Sequence, residues 1–326
     1  MKFMDFKPDI RILIKVALTL LAVSTFNLSV AQQTPLNPLS YWVFTPYLYN
    51  PAMVGSKDYL TLDFNAAFQG DSRAQILSGN SRLSKNKTGY FNSPKLKEFN
   101  GVGLGGSVFN DLNESSHNIG VNAAGSYQIP LNSKALSFLS VGASVKGVYN
   151  MLDTSLVDAG YPSKNTFYPN VDAGIYYYGT NLFTGISAIN LMGNPEDADS
   201  TGHYMIPVSR TYFFTIGYKF ILSKSMNIVL EPSVLIDAVD STFGKIADNI
   251  NPIIKLYIDN FCLGSYFLSD GNTSFFFQYR FPRFYVGVFS ELPRQTAYYK
   301  KPPIMEFTLG WNFQSDKSRF SKQSRW

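Results

Sequence analysis

The sequence contains very few residues of the kinds that bind metals or form covalent bridges. It has one cysteine, Cys262, and two histidines, His117 and His203, among 326 residues. One cysteine cannot form an intrachain disulfide, and zinc-finger and thiol-redox motifs need more cysteine and histidine than this chain has. We therefore interpret Cys262 as a small apolar strand residue. No metal, cofactor or catalytic residue is assigned, and the expected protein is not an enzyme.

Charged residues are also scarce. They make up 16% of the chain, against about 25% in typical soluble domains. The formal net charge is +5, but the lysines and arginines are scattered and form no basic helix or compact patch, so nucleic acid is not an expected partner. Aromatic residues are abundant instead, at 16% with 27 Phe and 21 Tyr. Such rings favour pleated surfaces and membrane interfaces.

Long apolar runs are absent apart from one at the N-terminus. Four basic residues, Lys2, Lys7, Arg11 and Lys15, precede the run "VALTLLAVSTFNLSVA", and "SVA" is followed by "QQ". A basic start, a short apolar run and a small-x-small site are typical of a secretory signal peptide. We predict that residues 1–31 are removed after Ala31 and that no later run is long enough to span a membrane as a helix.

The mature chain shows repeated alternation of apolar and polar residues. In "YLTLDFNAAF" the apolar residues Leu60, Leu62 and Phe64 alternate with Thr61 and Asp63. A period of two with one apolar and one polar face indicates β-strands. About fourteen such segments are predicted, at 59–69, 73–81, 101–110, 116–128, 135–149, 169–178, 182–190, 209–221, 226–238, 251–258, 261–268, 273–281, 284–290 and 304–313.

Two all-β folds could explain this alternation, a soluble sandwich and a transmembrane barrel. Many segments have about ten residues, the length that a tilted strand needs to cross a membrane. The signal peptide, the even number of strands and the ring-rich strand ends favour the barrel. We predict an antiparallel outer-membrane β-barrel of about fourteen strands over residues 59–313, surrounded by outer-membrane lipid and followed by a polar tail, 314–326.

The connections between the segments provide an independent test. In an even-stranded barrel both chain ends lie on the periplasmic side, where turns are short. Connections after even-numbered segments are short ("PLNSK", "YGTN", "LSKS", "IDN", "FPR"), whereas the long ones follow odd-numbered segments and would be extracellular. The exception is 82–100, which is long and basic on the short-turn side. A solvated loop and a role in the lumen or in docking both remain open for it.

The stretch "YWVFTPYLYNPAMVG" fits neither a strand nor a helix. A barrel of fourteen strands is too wide for its own side chains to fill, so it needs a plug or becomes a channel. Prolines prevent a regular ladder, and Tyr and Trp combine apolar bulk with polar tips. We predict that residues 32–58 plug the lumen. The predicted plug motif consists of Tyr41, Trp42, Phe44, Tyr47, Tyr49, Asn50, Pro51 and Ala52.

Charged residues within the strands are expected to face the lumen, because charge on the lipid face is costly. Glu231 and Asp237 share one face of a predicted strand, and Lys219 lies on the strand before it. We predict that these three residues are lumen charges and that Lys219 pairs with the carboxylates, which could hold the plug. The acidic connection "NPEDADSTGH" is interpreted as a solvated loop, with calcium bridging as the alternative.

Several motifs together resemble the PorP/SprF family of the type IX secretion and gliding systems of Bacteroidota. They are "TPYLYNPAMVGS", "GVGLGGSVFNDLNESSHNIGVNAAGSYQIPL", "PNVDAGIYYYGTNLFTGISAINLMG", "YKFILSKSMNIVLEPSVLIDAV" and "EFTLGWNF", in order along the mature chain. The Asn50-Pro51-Ala52 element and "LEPSVLI" are the most specific parts. The chain departs from the family pattern after the first strand, where Arg73 and Arg82 occur without the expected Trp, which leaves a divergent paralogue with a narrower role open.

The resemblance implies a non-enzymatic outer-membrane component of the secretion machinery. Family members are needed for export or surface display of particular cargo, often adhesins with a C-terminal sorting domain, so that cargo and other type IX secretion components are the expected partners. The alternative is a fatty-acid-type (FadL-like) channel for a hydrophobic small molecule, which also has about fourteen strands and an N-terminal hatch.

Overall fold

The structure is a computed structural model, and it describes residues 40–57, 60–83, 101–112, 116–132, 137–152, 166–193, 210–239, 249–269, 271–294 and 302–313. The predicted signal peptide, the predicted tail 314–326 and the acidic connection containing Glu196 lie outside these residues, as do His203 and most of 82–100. Within the described ranges, no group of three or more His, Cys, Asp or Glu could hold a metal ion. None of the described helices is long and apolar enough to cross a membrane.

Fifteen strand segments are present in the described ranges, after one short α-helix, α1 (Ser40–Phe44), and two 3-10 turns, Pro46–Leu48 and Pro51–Met53. The strands are β1 (Leu60–Gln69), β2 (Ser72–Arg82), β3 (Val102–Leu112), β4 (Ser116–Asn132), β5 (Ser137–Leu152), β6 (Thr166–Tyr178), β7 (Leu182–Ile189), β8 (Thr211–Tyr218), β9 (Phe220–Ser223), β10 (Ile228–Val239), β11 (Ile250–Ile258), β12 (Phe261–Phe267), β13 (Thr273–Arg280), β14 (Phe284–Leu292) and β15 (Ile304–Phe313).

The sheet closes on itself into a barrel. Consecutive strands pair antiparallel, apart from β8 with β9, and β15 pairs with β1 through a register that sets Leu60 opposite Phe313. β8 and β9 both pair with β10, so they are two parts of one strand position. The prediction of a closed antiparallel barrel with fourteen strand positions is therefore confirmed.

A break at Lys219 separates β8 from β9, where the sequence predicted one continuous strand. Ser233 of β10 pairs with β8, Leu230 pairs with β9, and Pro232 lies between them. Proline has no N–H to donate, so the ladder loses a hydrogen bond at this point. The break is thus encoded in the partner strand, and the strand direction continues through it.

The alternation of side chains is the reverse of that in a soluble protein. In β1 the polar residues Thr61, Asp63 and Asn65 are buried, whereas Leu62 and Phe64 are exposed on the outer surface. In β4, Val121 is 56% exposed and Gln128 only 1%. Polar side chains enclosed by apolar ones are the arrangement of a barrel whose outer solvent is hydrocarbon. The start of β1 and the end of β15 lie at one end of the barrel, which is the periplasmic end in the sequence-based assignment.

Candidate functional site: the segment inside the barrel

Residues 40–57, here called the inner segment, lie inside the ring of strands. Trp42 packs on Phe213 of β8, Phe44 on Phe276 of β13, and Asn50 bonds to the backbone of β6 and β7. Contacts to such widely separated strands are possible only from within the barrel. The local turns follow from the sequence, since Pro46 and Pro51 each begin a 3-10 turn, a position where no N–H is needed.

The Asn-Pro-Ala element fixes the centre of the inner segment. Asn50 is 1% exposed, and its side-chain Oδ1 accepts a hydrogen bond from the N–H of Ala52 at 3.0 Å, which caps the following turn. Its Nδ2 donates to the carbonyl oxygens of Ile175 and Ile186, at 3.2 and 3.5 Å. One amide side chain therefore both shapes the segment and attaches it to two wall strands.

Wall side chains in turn donate hydrogen bonds to carbonyl groups of the inner segment. Ser140 Oγ donates to the Ala52 carbonyl at 2.6 Å, and Ser126 Oγ to the Val54 carbonyl at 2.7 Å. Gln128 Nε2 also donates to the Val54 carbonyl, at 3.0 Å. These bonds satisfy carbonyl groups that the irregular segment cannot pair with itself, as buried backbone requires.

Arg82 binds the C-terminal end of the inner segment. Its Nε donates to the Gly55 carbonyl at 2.8 Å and its Nη2 to the Ser56 carbonyl at 2.9 Å. Gly55 itself has a φ of 65°, a left-handed conformation that glycine adopts without steric cost. The turn into β1 is therefore defined by a glycine and secured by a buried guanidinium group.

Two wall glycines provide the room for this contact. A Cβ at Gly142 would lie 2.5 Å from the nitrogen of Ala52, and a Cβ at Gly103 would lie 2.5 Å from the oxygen of Val54. Real Cβ atoms do not approach backbone that closely, so the missing side chains allow the segment to lie directly on the wall. The match between the segment and the wall is thus steric as well as polar.

Aromatic rings of the inner segment pack against one another and against the wall. Trp42 and Tyr49 stack with centroids 4.6 Å apart, and Phe213 meets both rings edge-on. The Tyr47 hydroxyl donates to the carbonyl oxygens of Gly79 and Gly106, at 3.4 and 3.3 Å. Burial raises the pKa of the Tyr47 hydroxyl well above its ordinary value of 10.0, because the charged form is poorly solvated there.

The structure places most of the predicted plug motif inside the barrel as buried residues. Trp42, Phe44, Tyr47, Tyr49, Asn50, Pro51 and Ala52 are all buried there. Tyr41 belongs to α1, but its side chain lies outside the described part of the structure. Whether the segment blocks passage through the barrel remains a prediction.

The predicted lumen charges form contacts with other wall residues. Glu231 is 3% exposed, and its carboxylate lies 3.7 Å from Lys219 Nζ and 3.1 Å from Lys255 Nζ. Tyr257 adds a hydrogen bond to the same carboxylate. Asp237 accepts a hydrogen bond from Asn251 at 2.6 Å. The described ion pairs of Glu231 therefore join strands of the wall to one another rather than to the inner segment.

Sequence reasoning missed some of these charged contacts. Lys255 lies directly opposite Glu231 across β10 and β11, and finding it requires the strand register. Lys146 and Asp172 form a second luminal ion pair at 2.9 Å, between β5 and β6. From the sequence, each of these residues can be assigned to the polar face of its own strand. That assignment gives the direction of the side chain but does not identify its partner.

A family comparison identifies the chain. The profile described as "Type IX secretion system membrane protein PorP/SprF" matches residues 30–311, nearly the whole chain. The chain belongs to the PorP/SprF family. The resemblance seen in the sequence is thereby confirmed, and together with the barrel fold it places this PorP/SprF protein in the outer membrane, as a membrane component of the type IX secretion system. That family description names no catalytic activity, and no curated protein matches the chain.

Several solved barrels are similar at low scores. They include the CymD monoaromatic hydrocarbon channel (TM-score 0.42, 12% identity, covering 87% of this chain and 95% of that one). Omp33 of Acinetobacter baumannii has a TM-score of 0.40 and 12% identity, covering 79% of this chain and 100% of that one. The KdgM porin in complex with oligogalacturonate has 0.39 and 11%, covering 78% and 99%. These scores are too low to transfer any property from those proteins to this one.

Proposed function

We propose that this PorP/SprF protein recruits a secreted cargo protein at the outer membrane and enables its display on the cell surface. The cargo is expected to be an adhesin with a C-terminal sorting domain, and the protein acts without catalysis. The observation that carries the proposal is the family match over residues 30–311, because it covers the whole inner segment and nearly the whole barrel together.

The arrangement of the lumen supports a scaffold more than a transporter. The inner segment makes hydrogen bonds to β4, β5, β6 and β7 and is packed between rings on the other side. A transporter needs a continuous or inducible path with a ligand pocket. A scaffold can have a permanently closed lumen, and we propose that the inner segment closes it.

The extracellular end is the expected place for cargo contact. Connections 153–165, 190–210, 240–249 and 293–303 leave the barrel at that end, and loops on a rigid scaffold commonly carry binding function. The periplasmic end carries mainly short turns, such as 179–181 and 259–260. Four long connections follow strands that end at the extracellular side, against one, 83–101, at the periplasmic side, so we expect cargo contact outside the cell.

The test is a deletion of the gene followed by surface biotinylation and mass spectrometry of the labelled proteins. The proposal predicts the loss of one or a few surface proteins that carry a C-terminal sorting domain, and their return when the full-length gene is restored. Unchanged surface proteins combined with reduced uptake of a hydrophobic small molecule would overturn the proposal and favour the FadL-like channel.

A further inference from the structure

Charge is distributed unequally between the two ends of the barrel. The strand directions assign each charged residue of the described ranges to the periplasmic half, where β1 begins, or to the extracellular half. The periplasmic half contains seven cations and three anions, namely Lys57, Arg82, Lys219, Lys224, Lys255, Arg280 and Arg283 with Asp63, Glu231 and Asp259. The extracellular half contains four cations and six anions, namely Arg73, Lys146, Arg210 and Arg294 with Asp71, Asp111, Asp172, Asp237, Glu291 and Glu306.

The remaining residues of the chain increase this difference. The strands on either side of a connection fix the end of the barrel to which it is attached. At the periplasmic end, 84–100 contains four lysines and one glutamate, and 314–326 contains four cations and one aspartate. At the extracellular end, 194–209 contains three carboxylates and no lysine or arginine. Counted over residues 32–326, the periplasmic half has a formal charge of +10 and the extracellular half one of −7.

The carboxylates of the periplasmic half do not balance its cations. Lys219 and Lys255 share one carboxylate, that of Glu231, with Nζ–oxygen distances of 3.7 and 3.1 Å. The guanidinium group of Arg82 donates to carbonyl oxygens of the inner segment, which are neutral acceptors. Charges of one sign gathered around an opening produce a potential that attracts ligands of the opposite sign. The periplasmic opening of the barrel is therefore a basic surface.

The position of these cations favours a polypeptide over lipid as the binding partner. Lys219 and Lys255 bind Glu231 on the lumen side of the wall, where headgroups of the surrounding lipid do not reach. Lys224 and Arg283 are exposed in turns at the rim of the same opening. The chain's own segments at this end, 84–100 and 314–326, are basic themselves, so they cannot neutralise the surface.

We propose that the periplasmic opening of the barrel binds an acidic segment of a periplasmic protein. We call the surface formed by Lys219, Lys224, Lys255, Arg280 and Arg283 the basic mouth. An extended segment rich in aspartate or glutamate fits it, because its carboxylates can meet the exposed cations of the rim and those that line the lumen above them. This partner goes beyond the proposed function, since it binds on the opposite side of the membrane from the expected cargo contacts.

The experiment measures the binding of a rhodamine-labelled octaglutamate peptide to the folded mature chain in neutral detergent micelles, by fluorescence anisotropy. The variant Lys224→Glu with Arg283→Glu is compared with the matched control Arg210→Glu with Arg294→Glu, which reverses two exposed arginines at the extracellular end. Both variants change the net charge equally. We expect the basic-mouth variant to bind about tenfold more weakly than the native chain and the control to stay within about twofold.

Equal losses in the two variants would show that the peptide responds only to the net charge of the protein, and they would overturn the proposal. A native chain that does not bind octaglutamate would overturn it as well. Heat-modifiable migration in gels shows whether each barrel is folded. If a charge-reversed variant does not fold, Lys224→Gln with Arg283→Gln is compared with Arg210→Gln with Arg294→Gln, and the expected loss at the basic mouth is then about threefold.

A second titration separates a protein partner from lipid. The native chain and the basic-mouth variant are placed in nanodiscs of phosphatidylcholine and in nanodiscs that also contain anionic phosphatidylglycerol. Because headgroups do not reach the lumen-facing cations, we expect the native chain to bind octaglutamate more tightly than the variant in both. A difference that disappears with phosphatidylglycerol would assign the basic mouth to anionic lipid and overturn the proposal. The gene-deletion test of the proposed function is independent of either result.

Discussion

Gly142 and Ala52 lie so close together that the wall residue must be a glycine. A Cβ at Gly142 would lie 2.5 Å from the nitrogen of Ala52 and 2.5 Å from the carbonyl carbon of Pro51. Both of these are backbone atoms, which cannot move aside as the end of a flexible side chain can. The inner segment and β5 are therefore fitted closely to each other at this point of the wall.

This fit predicts the effect of adding one methyl group. Gly142→Ala should lower the free energy of unfolding by about 1–3 kcal/mol, the usual effect of overpacking. The matched control is Gly125→Ala, where the added Cβ would meet its nearest atoms at 3.9 Å. Urea unfolding in detergent micelles measures both variants. Equal stability of the two variants would contradict the close contact between the inner segment and the wall.

The Asn50 side chain should be the most sensitive polar group of the inner segment. Asn50→Ala removes the cap on Ala52 and two hydrogen bonds to the wall, so we expect a loss of about 2 kcal/mol. Asn122 is a suitable control, because its Oδ1 is buried without a hydrogen-bond partner in the described structure. Asn122→Ala should cost clearly less in the same urea titration, and a reversed order would argue against the role of Asn50.

The two lysines beside Glu231 should contribute unequally. Lys255 Nζ lies 3.1 Å from the carboxylate with its side chain 15% exposed, whereas Lys219 Nζ lies 3.7 Å away and its side chain is 26% exposed. Breaking a buried pair costs up to about 3–5 kcal/mol, and exposure reduces this value. Lys255→Met should therefore lower the thermal midpoint of the barrel more than Lys219→Met. Equal thermal midpoints would show that the pair of Lys255 with Glu231 contributes no more to stability than the pair of Lys219 with Glu231.

The raised pKa of Tyr47 predicts a loss of stability at alkaline pH. Burial favours the neutral hydroxyl in the folded state, so its contribution is complete below the unfolded-state pKa of about 10. As the pH rises above that value, the unfolded chain releases the proton more readily and stability falls. The urea midpoint of the native chain should drop more between pH 9 and pH 11 than that of Tyr47→Phe, whereas parallel decreases would exclude Tyr47 as the cause.

The sequence predicts the barrel well because its signal is local. Alternation in single strands, such as Thr61 and Asp63 against Leu62 and Phe64, gives the direction of each side chain without any partner. The contacts of the site depend on the strand register and on which distant residues come close together in the fold. Alternation within single strands gives no information about either. Neither the pairing of Lys255 with Glu231 nor the bonds from Asn50 to β6 and β7 could be derived that way.

The sequence predicts where the inner segment lies, but it does not predict the contacts that hold the segment there. Its rings and prolines exclude a strand, and the width of the barrel calls for filling. The sequence alone does not show that Arg82 binds the Gly55 carbonyl or that Gly103 leaves room for Val54. The predicted boundary at residue 32 stays a prediction, because the structure describes the segment only from residue 40.

Single-channel recording in planar lipid bilayers tests the central claim, that the inner segment closes the lumen. The folded mature chain is compared with a chain lacking residues 32–58, each checked for heat-modifiable migration before use. We expect no stable conductance steps from the mature chain and large, long-lived steps from the shortened one, since a barrel of fourteen strand positions is too wide for its wall side chains to fill. Identical currents from the two chains would contradict the account.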